Sequence, residues 1–200
     1  MSDVTFDMEN NSVSVHHKKV EPWKVTLVDT GEFTQTGGRL KRVSKYLNDE
    51  SFCFTYGDGV SNIDIGKLIT HHKSFKRLAT VTAVQPPGRY GAFQFGEDYS
   101  VSGFKEKPKG DGGWINGGFF VLEPDVINYI DSDETIWEQE PMMNLAKNKE
   151  LTYYKHLDFW HPMDTLRDYR YLQKLWEENE APWINLSLIH ISEPTRLPGI

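Results

Sequence analysis

Ser51-Phe52-Cys53-Phe54-Thr55-Tyr56-Gly57-Asp58-Gly59-Val60 is an apolar run that ends abruptly in a carboxylate set between two glycines. The run has the length and residue types of a buried strand. The glycines let backbone and ligand approach closely, and they place Asp58 at the strand's carboxyl end, where open α/β sheets bind ligands. Far downstream a second lone carboxylate closes Phe159-Trp160-His161-Pro162-Met163-Asp164. Two carboxylates about 4 Å apart repel by roughly 4 kcal/mol at an effective dielectric of about 20, so a convergent pair needs a cation or a shared proton. Mg²⁺ takes one or two carboxylates plus substrate phosphates, which suits Asp58 and Asp164. The blander alternative makes Asp58 a turn residue and Asp164 the N-cap of a helix beginning Thr165-Leu166-Arg167.

Around this strand the pattern alternates. Val4 to Met8 and Ser12 to His16 flank Glu9-Asn10-Asn11 as a hairpin, and Val25 to Val28 reads as a short strand. Thr36-Gly37-Gly38 opens a helix with Leu40, Val43 and Leu47 on one face. A second helix carries Ile65, Leu68, Ile69 and His72, followed by a strand from Ala79 to Val84. Gly91 to Phe95 and Tyr99 to Phe104 form another hairpin around Gly96-Glu97-Asp98, and Trp114 to Leu122 is a long apolar strand. Pro124 to Ile130 and Glu138 to Lys147 read as helices, Leu151 to His156 as a strand, and Leu166, Tyr169, Leu172, Leu175 and Trp176 mark a last amphipathic helix. Strands alternating with helices predict an α/β fold, a Rossmann-like mixed and mostly parallel sheet with added hairpins. One domain, residues 1–183, is the economical division. Residues 184–200 are set apart, because Leu186 to Arg196 is similar to the conceptual translation of a sequencing adapter.

Two hundred residues can bury roughly 70% of the unfolded surface in one core. Aromatics at 13% and charged residues at 26% belong to a globular chain. The formal charge of −7 argues against broad nucleic-acid binding, yet leaves room for an anionic substrate beside local cations. Cys53 is the one cysteine, cannot form an internal disulfide, and reads as a small core residue. No apolar stretch approaches the roughly 18 residues of a membrane span, so a cytoplasmic protein without a membrane partner is expected.

Other segments carry possible chemistry. Lys105-Glu106-Lys107-Pro108-Lys109-Gly110 offers lysine point charges for phosphate. Thr36-Gly37-Gly38-Arg39 sets an arginine at a helix start, where free N–H groups favour an anion; a simply capped helix fits equally well. The paired glycines of Ile115-Asn116-Gly117-Gly118 interrupt an apolar strand, as either a close sugar ring or a bulge would require. Trp137-Glu138-Gln139-Glu140 offers acceptors for sugar hydroxyls, or acids suited to a helix's first turn. His16-His17 and His71-His72 are sequence neighbours facing different ways, so neither is a natural chelate. Asp131-Ser132-Asp133 lies in a polar loop and is discounted.

In order along the chain, Glu21-Pro22-Trp23, Val28-Asp29-Thr30-Gly31, Thr36-Gly37-Gly38-Arg39-Leu40-Lys41-Arg42, Tyr56-Gly57-Asp58-Gly59-Val60, Pro86-Pro87-Gly88-Arg89-Tyr90-Gly91, Glu106-Lys107-Pro108-Lys109-Gly110, Ile115-Asn116-Gly117-Gly118, Trp137-Glu138-Gln139-Glu140-Pro141 and Pro162-Met163-Asp164-Thr165-Leu166-Arg167-Asp168 resemble the sugar-phosphate nucleotidyltransferases, most closely their glucose-1-phosphate cytidylyltransferase branch. The resemblance implies that Asp58 and Asp164 bind Mg²⁺. It implies that Thr36, Arg39 and Gly57 contact the cytidine nucleotide, that Tyr90, Gly91, Glu106, Asn116, Gly117 and Glu138 line the glucose pocket, and that Lys107 neutralises the sugar phosphate. The reaction implied joins CTP and glucose 1-phosphate into CDP-glucose and pyrophosphate, for dideoxysugars of surface polysaccharide, in a protein that is a homo-oligomer when full length. Transfer from UTP or dTTP, or a non-catalytic sugar-nucleotide-binding module, are the alternatives. The family opens on a G-G-x-G-T-R loop that nothing here matches. On that count the chain reads as an incomplete domain that lacks the first strand and does not turn over.

Overall fold

The computed structural model describes residues 4–16, 24–86, 92–95, 100–105 and 113–184. Among these described residues ten strands alternate with four α-helices: β1 (Val4–Asp7), β2 (Ser12–Val15), α1 (Thr36–Val43), β3 (Phe52–Thr55), β4 (Gly59–Ser61), α2 (Ile65–Phe75), β5 (Ala79–Val84), β6 (Ala92–Phe95), β7 (Val101–Lys105), β8 (Ile115–Leu122), α3 (Glu140–Lys147), β9 (Leu151–His156), β10 (Trp160–Pro162) and α4 (Leu166–Glu177). The α/β character expected from the pattern is present. Both expected hairpins form, β1 with β2 and β6 with β7, although the turn at Gly96-Glu97-Asp98 lies outside the described residues.

The main sheet has the order β3-β8-β5-β9. Strands β3, β5 and β9 share one direction, and β8 runs against them between β3 and β5. Period-2 alternation along β5 sends Ala79 and Val81 to one face and Thr80 and Thr82 to the other. On the first face Leu40 of α1, Phe120, Leu122, Val126, Ile130, Trp137 and Leu145 of α3 form the core, with Phe54, Phe120 and Trp137 in edge and tilted ring contacts. On the second face α2 buries Leu68 and His72. The His72 ring bonds Thr80 Oγ1 at 2.7 Å and Glu123 Oε1 at 2.9 Å, and Glu123 also accepts from Ser51 Oγ at 2.7 Å. His71 turns away to the Tyr153 carbonyl, so the adjacent histidines do face apart.

Several expectations are corrected. The segment Val25 to Val28 is not a strand: Val25 and Leu27 are 71% and 92% exposed, and β-branched residues make a ladder only where a partner backbone is present. The run from Phe52 is a strand but not a buried one. It is the edge of the sheet, with Phe52 and Phe54 against the core and Cys53 and Thr55 exposed, so Cys53 is no core residue. Pro124–Tyr129 winds as a 3-10 helix. Of the stripe on α4 only Leu172 is buried.

Burial opposes ionisation of Glu123, but hydrogen bonds from Ser51 and His72 outweigh it and hold the carboxyl below its ordinary value. A depressed folded value means stability that is complete well above the unfolded carboxyl pKa of about 4.3 and is lost as pH falls through it toward the folded value. Urea midpoints between pH 3 and 7 should therefore show the wild type above Glu123→Gln at neutral pH, with the gap closing on acidification.

Candidate active site

Strand β3 delivers the chain into Tyr56-Gly57-Asp58, and β4 leaves it. Strand β4 pairs antiparallel with β10, Gly59 opposite Pro162, Val60 opposite His161 and Ser61 opposite Trp160. One further rung, Met163 N–H to Asp58 C=O at 2.7 Å, extends this ladder. Asp58 thus lies across from Met163, and Asp164 is the next residue. Backbone pairing between segments a hundred residues apart in the chain thus makes the positions of the two aspartates neighbours.

Asp164 does not cap α4. Thr165 is the N-cap: its hydroxyl accepts from Asp168 N, and the Asp168 carboxylate accepts from Thr165 N at 3.0 Å and Thr165 Oγ1 at 2.7 Å. Asp168 also meets His161 Nε2 at 3.1 Å, and the Thr165 hydroxyl is the chief cause that holds its carboxyl below the ordinary range. This closed loop from His161 to Asp168 fixes the stretch that carries Asp164. Asp58 and Asp164 are both exposed to solvent. Among the described residues no cluster of three or more His, Cys, Asp or Glu forms. A pair of aspartate oxygen donors suits Mg²⁺, which keeps waters and phosphate oxygens, better than a structural zinc site built on thiolates and imidazoles.

Beside the aspartates lies a polar cluster. Trp160 Nε1 donates to Gly117 O at 2.7 Å, tying β10 to β8 next to Gly59. The register between β5 and β8 slips around Thr82, and Gly117-Gly118 occupies the irregularity, so the paired glycines make a bulge. Gly118 sits at φ +77°, and a Cβ there would meet the Tyr56 ring at 2.8 Å. Asn116 accepts from Gly118 N at 2.8 Å and donates to Tyr56 Oη at 3.3 Å. Burial, then the hydrogen bond to Glu138, push the Tyr56 phenol well above its ordinary pKa, so it stays a neutral donor. Glu138 also accepts from Thr36 Oγ1 at 2.8 Å.

At the start of α1 the glycine N–H groups are already used. Gly37 N and Gly38 N both donate to Thr135 O, and Gln35 N donates to Asp133 O. The glycines there allow close approach of the 133–135 backbone: a Cβ on Gly38 would stand 2.5 Å from Asp133 O. Arg39 turns to the preceding loop, bonding Thr30 Oγ1 at 2.6 Å and Glu32 O at 3.1 Å. Hence Asp58, Asp164, Gly57, Asn116, Gly117, Glu138 and Thr36 gather around the carboxyl end of β3, and Arg39 faces aside. Tyr90, Gly91, Glu106 and Lys107 lie outside the described residues. Tyr56 and Trp160 were not expected as site residues; the only signal was their place beside Gly57 and Pro162.

Comparison with known proteins places this geometry in context. The family model described as nucleotidyl transferase matches residues 4–177. Glucose-1-phosphate cytidylyltransferase of Salmonella typhi is 59% identical over 184 residues, covering 92% of this chain and 71% of the relative. A probable glucose-1-phosphate cytidylyltransferase of Bacillus subtilis is 41% identical, covering 82% of this chain and 64% of its own length. Among solved structures, UDP-glucose pyrophosphorylase in complex with UDP-glucose superposes with TM-score 0.55 at 13% identity, over 76% of this chain and 65% of that one, a likeness of fold.

Gly38 in α1 and Gly57 in the turn after β3 should respond differently to a methyl group. Gly38→Ala meets backbone and is expected to cost about 1–3 kcal/mol. Gly57 has nothing within 4 Å of a built Cβ. Gly57→Ala should leave stability within about 0.5 kcal/mol, as measured by urea unfolding.

Proposed function

The chain belongs to the nucleotidyl transferase family, and we propose that its reaction is cytidylyl transfer from CTP to glucose 1-phosphate, giving CDP-glucose and pyrophosphate. The observation that carries this reading is the ladder that sets Asp58 beside Asp164, next to the Asn116–Tyr56–Glu138 cluster. The choice of base and sugar rests on likeness to the cytidylyltransferases of Salmonella typhi and Bacillus subtilis.

No protein nucleophile is needed. A phosphate oxygen of glucose 1-phosphate bonds to the α-phosphorus of CTP, the α–β anhydride bond breaks, and pyrophosphate leaves with the electron pair. Asp58 and Asp164 would hold Mg²⁺, which when bound neutralises charge on the triphosphate. Their exposure leaves room for phosphate oxygens and water as the remaining ligands. Lys107 pairs with the phosphate of glucose 1-phosphate as a point charge. Tyr90, Gly91, Glu106, Asn116, Gly117 and Glu138 orient the hexose. Gly117 acts there through its N–H or α-carbon, since its carbonyl accepts from Trp160. Gly57 admits the nucleotide closely, while Thr36 supports Glu138; Arg39 is the third residue of the nucleotide set, and in this structure it bonds Thr30 and Glu32 instead. The product would supply dideoxysugars of O-antigen polysaccharide. The protein acts in the cytoplasm as a homo-oligomer, without a nucleic-acid or membrane partner. Among the described residues no helix is long and apolar enough to cross a membrane.

Ligand binding carries the test. Titration should show saturable binding of glucose 1-phosphate, tighter than that of glucose or inorganic phosphate, and CTP preferred over UTP and dTTP. Equal binding of all three nucleotides would overturn the base assignment; no preference for the sugar phosphate would overturn the reaction. Asp58→Asn and Asp164→Asn should each weaken Mn²⁺ binding, followed by electron paramagnetic resonance, by about tenfold or more, since even outer-shell partners of metal sites matter on that scale.

A further inference from the structure

We propose that Trp160 is a positioning residue for the metal: its indole N–H, bound to the carbonyl of Gly117, seats the aspartate end of the β4–β10 ribbon against β8. This rests on the reading of Asp58 and Asp164 as the Mg²⁺ pair.

Strands β4 and β10 form a two-stranded ladder of their own, outside the main sheet. Their rungs, and the bond from Met163 N to Asp58 O, hold the two strands to each other and not to that sheet. Side-chain hydrogen bonds tie the ribbon to the sheet near each end. The far end is pinned at the Phe159 carbonyl, which accepts from Ser61 Oγ at 2.9 Å, His156 Nε2 at 3.0 Å and Asn62 N at 3.2 Å. A carbonyl can only accept, so His156 carries a proton on Nε2. The Ser61 hydroxyl, its own proton engaged at Phe159, accepts from that same N–H at 3.1 Å. His156 is the last residue of β9, and through it this pin reaches the main sheet.

The end nearer the aspartates is held by Trp160. Its Nε1–H donates to Gly117 O, on β8, at 2.7 Å. Trp160 stands opposite Ser61, yet its indole reaches two residues along the ribbon, toward Asp58. A Cβ built on Gly59 would lie 3.8 Å from Gly117 O and 3.9 Å from Trp160 Nε1, so the bond passes beside the residue that follows Asp58. Gly117 falls in no rung of the pairing of β8 with β3 or with β5, and its carbonyl takes the indole N–H instead. The same bond therefore satisfies the bulge and fixes the ribbon. Without it the pin at Phe159 still attaches the ribbon, but the acidic positions are no longer set against β8. Metal binding depends on ligands held in place by the groups around them, so the loss falls on metal affinity more than on folding.

The test compares Trp160→Phe, which keeps an aromatic ring and removes the N–H, with Ser61→Ala, which weakens the far pin. Both are made in the full chain, Mn²⁺ binding is followed by electron paramagnetic resonance, and urea midpoints are measured alongside. Expected is about tenfold weaker Mn²⁺ binding in Trp160→Phe, with Ser61→Ala within about twofold of the wild type. Unchanged Mn²⁺ affinity in Trp160→Phe, or equal weakening in Ser61→Ala, sinks the positioning role. Should Trp160→Phe not fold, linkage supplies a second measurement, because an ion favoured by the indole bond must favour that bond in return. Exchange of the assigned Trp160 indole proton in the wild type should then slow by about twofold or more on saturation with Mg²⁺, and an unchanged rate defeats the proposal. A wild type that binds no Mn²⁺ refutes the metal reading itself, and the role of Trp160 with it.

Discussion

One backbone hydrogen bond, from Met163 N–H to Asp58 C=O, closes the ladder on which the rest of the site depends. Neither β4 nor β10 exceeds three residues, and neither joins the main sheet. Each is held by its partner and by side chains that flank it. Trp160 anchors β10 to the carbonyl of Gly117, and Ser61 on β4 bonds the Phe159 carbonyl at 2.9 Å. Beyond the ladder, the Thr165–Asp168 capping box and His161 confine the turn into α4. Two acidic positions, Asp58 and Asp164, are thereby set next to each other by backbone pairing.

A second constraint acts across the core face of the sheet. Helix α1 begins against the 133–135 backbone so closely that only glycine fits at position 38. That contact brings Thr36 to Glu138 and fixes Trp137, which is wholly buried beneath Phe54 and Phe120. The hydrophobic core and the polar cluster are thus two sides of one segment: Trp137 faces in, Glu138 faces the site. A change in core volume at Trp137 would be felt at Glu138 through a single peptide link.

The sequence made the longer elements readable because their periodicity is strong. Strands β5, β8 and β9 and helices α2 and α4 stand where alternation and the 3.6-residue stripe put them. What it hid has one cause, the identity of the partner. Three-residue strands carry no readable period, and Pro162 disguised β10 further. Val25 to Val28 has the composition of a strand but pairs with no strand among the described residues, and the run from Phe52 has the look of a strand buried on both faces when only one is covered. At the site, Asp58, Asp164, Asn116 and Glu138 were identifiable from motif order. The place of Tyr56 was not, since its hydroxyl accepts from Asn116, 60 residues on.

The exposed face of β3 makes Cys53 a natural reporter. It is the sole thiol in the chain, so an alkylating dye can attach at one place only. That place is on the strand that delivers Asp58, yet on the opposite side from the Phe54 and Trp137 rings, where a dye leaves the core undisturbed. Partial burial pushes the thiol's pKa up, so labelling needs alkaline solution, where the thiolate that reacts is present. A fluorophore there would register events at the carboxyl end of β3 without any engineered cysteine.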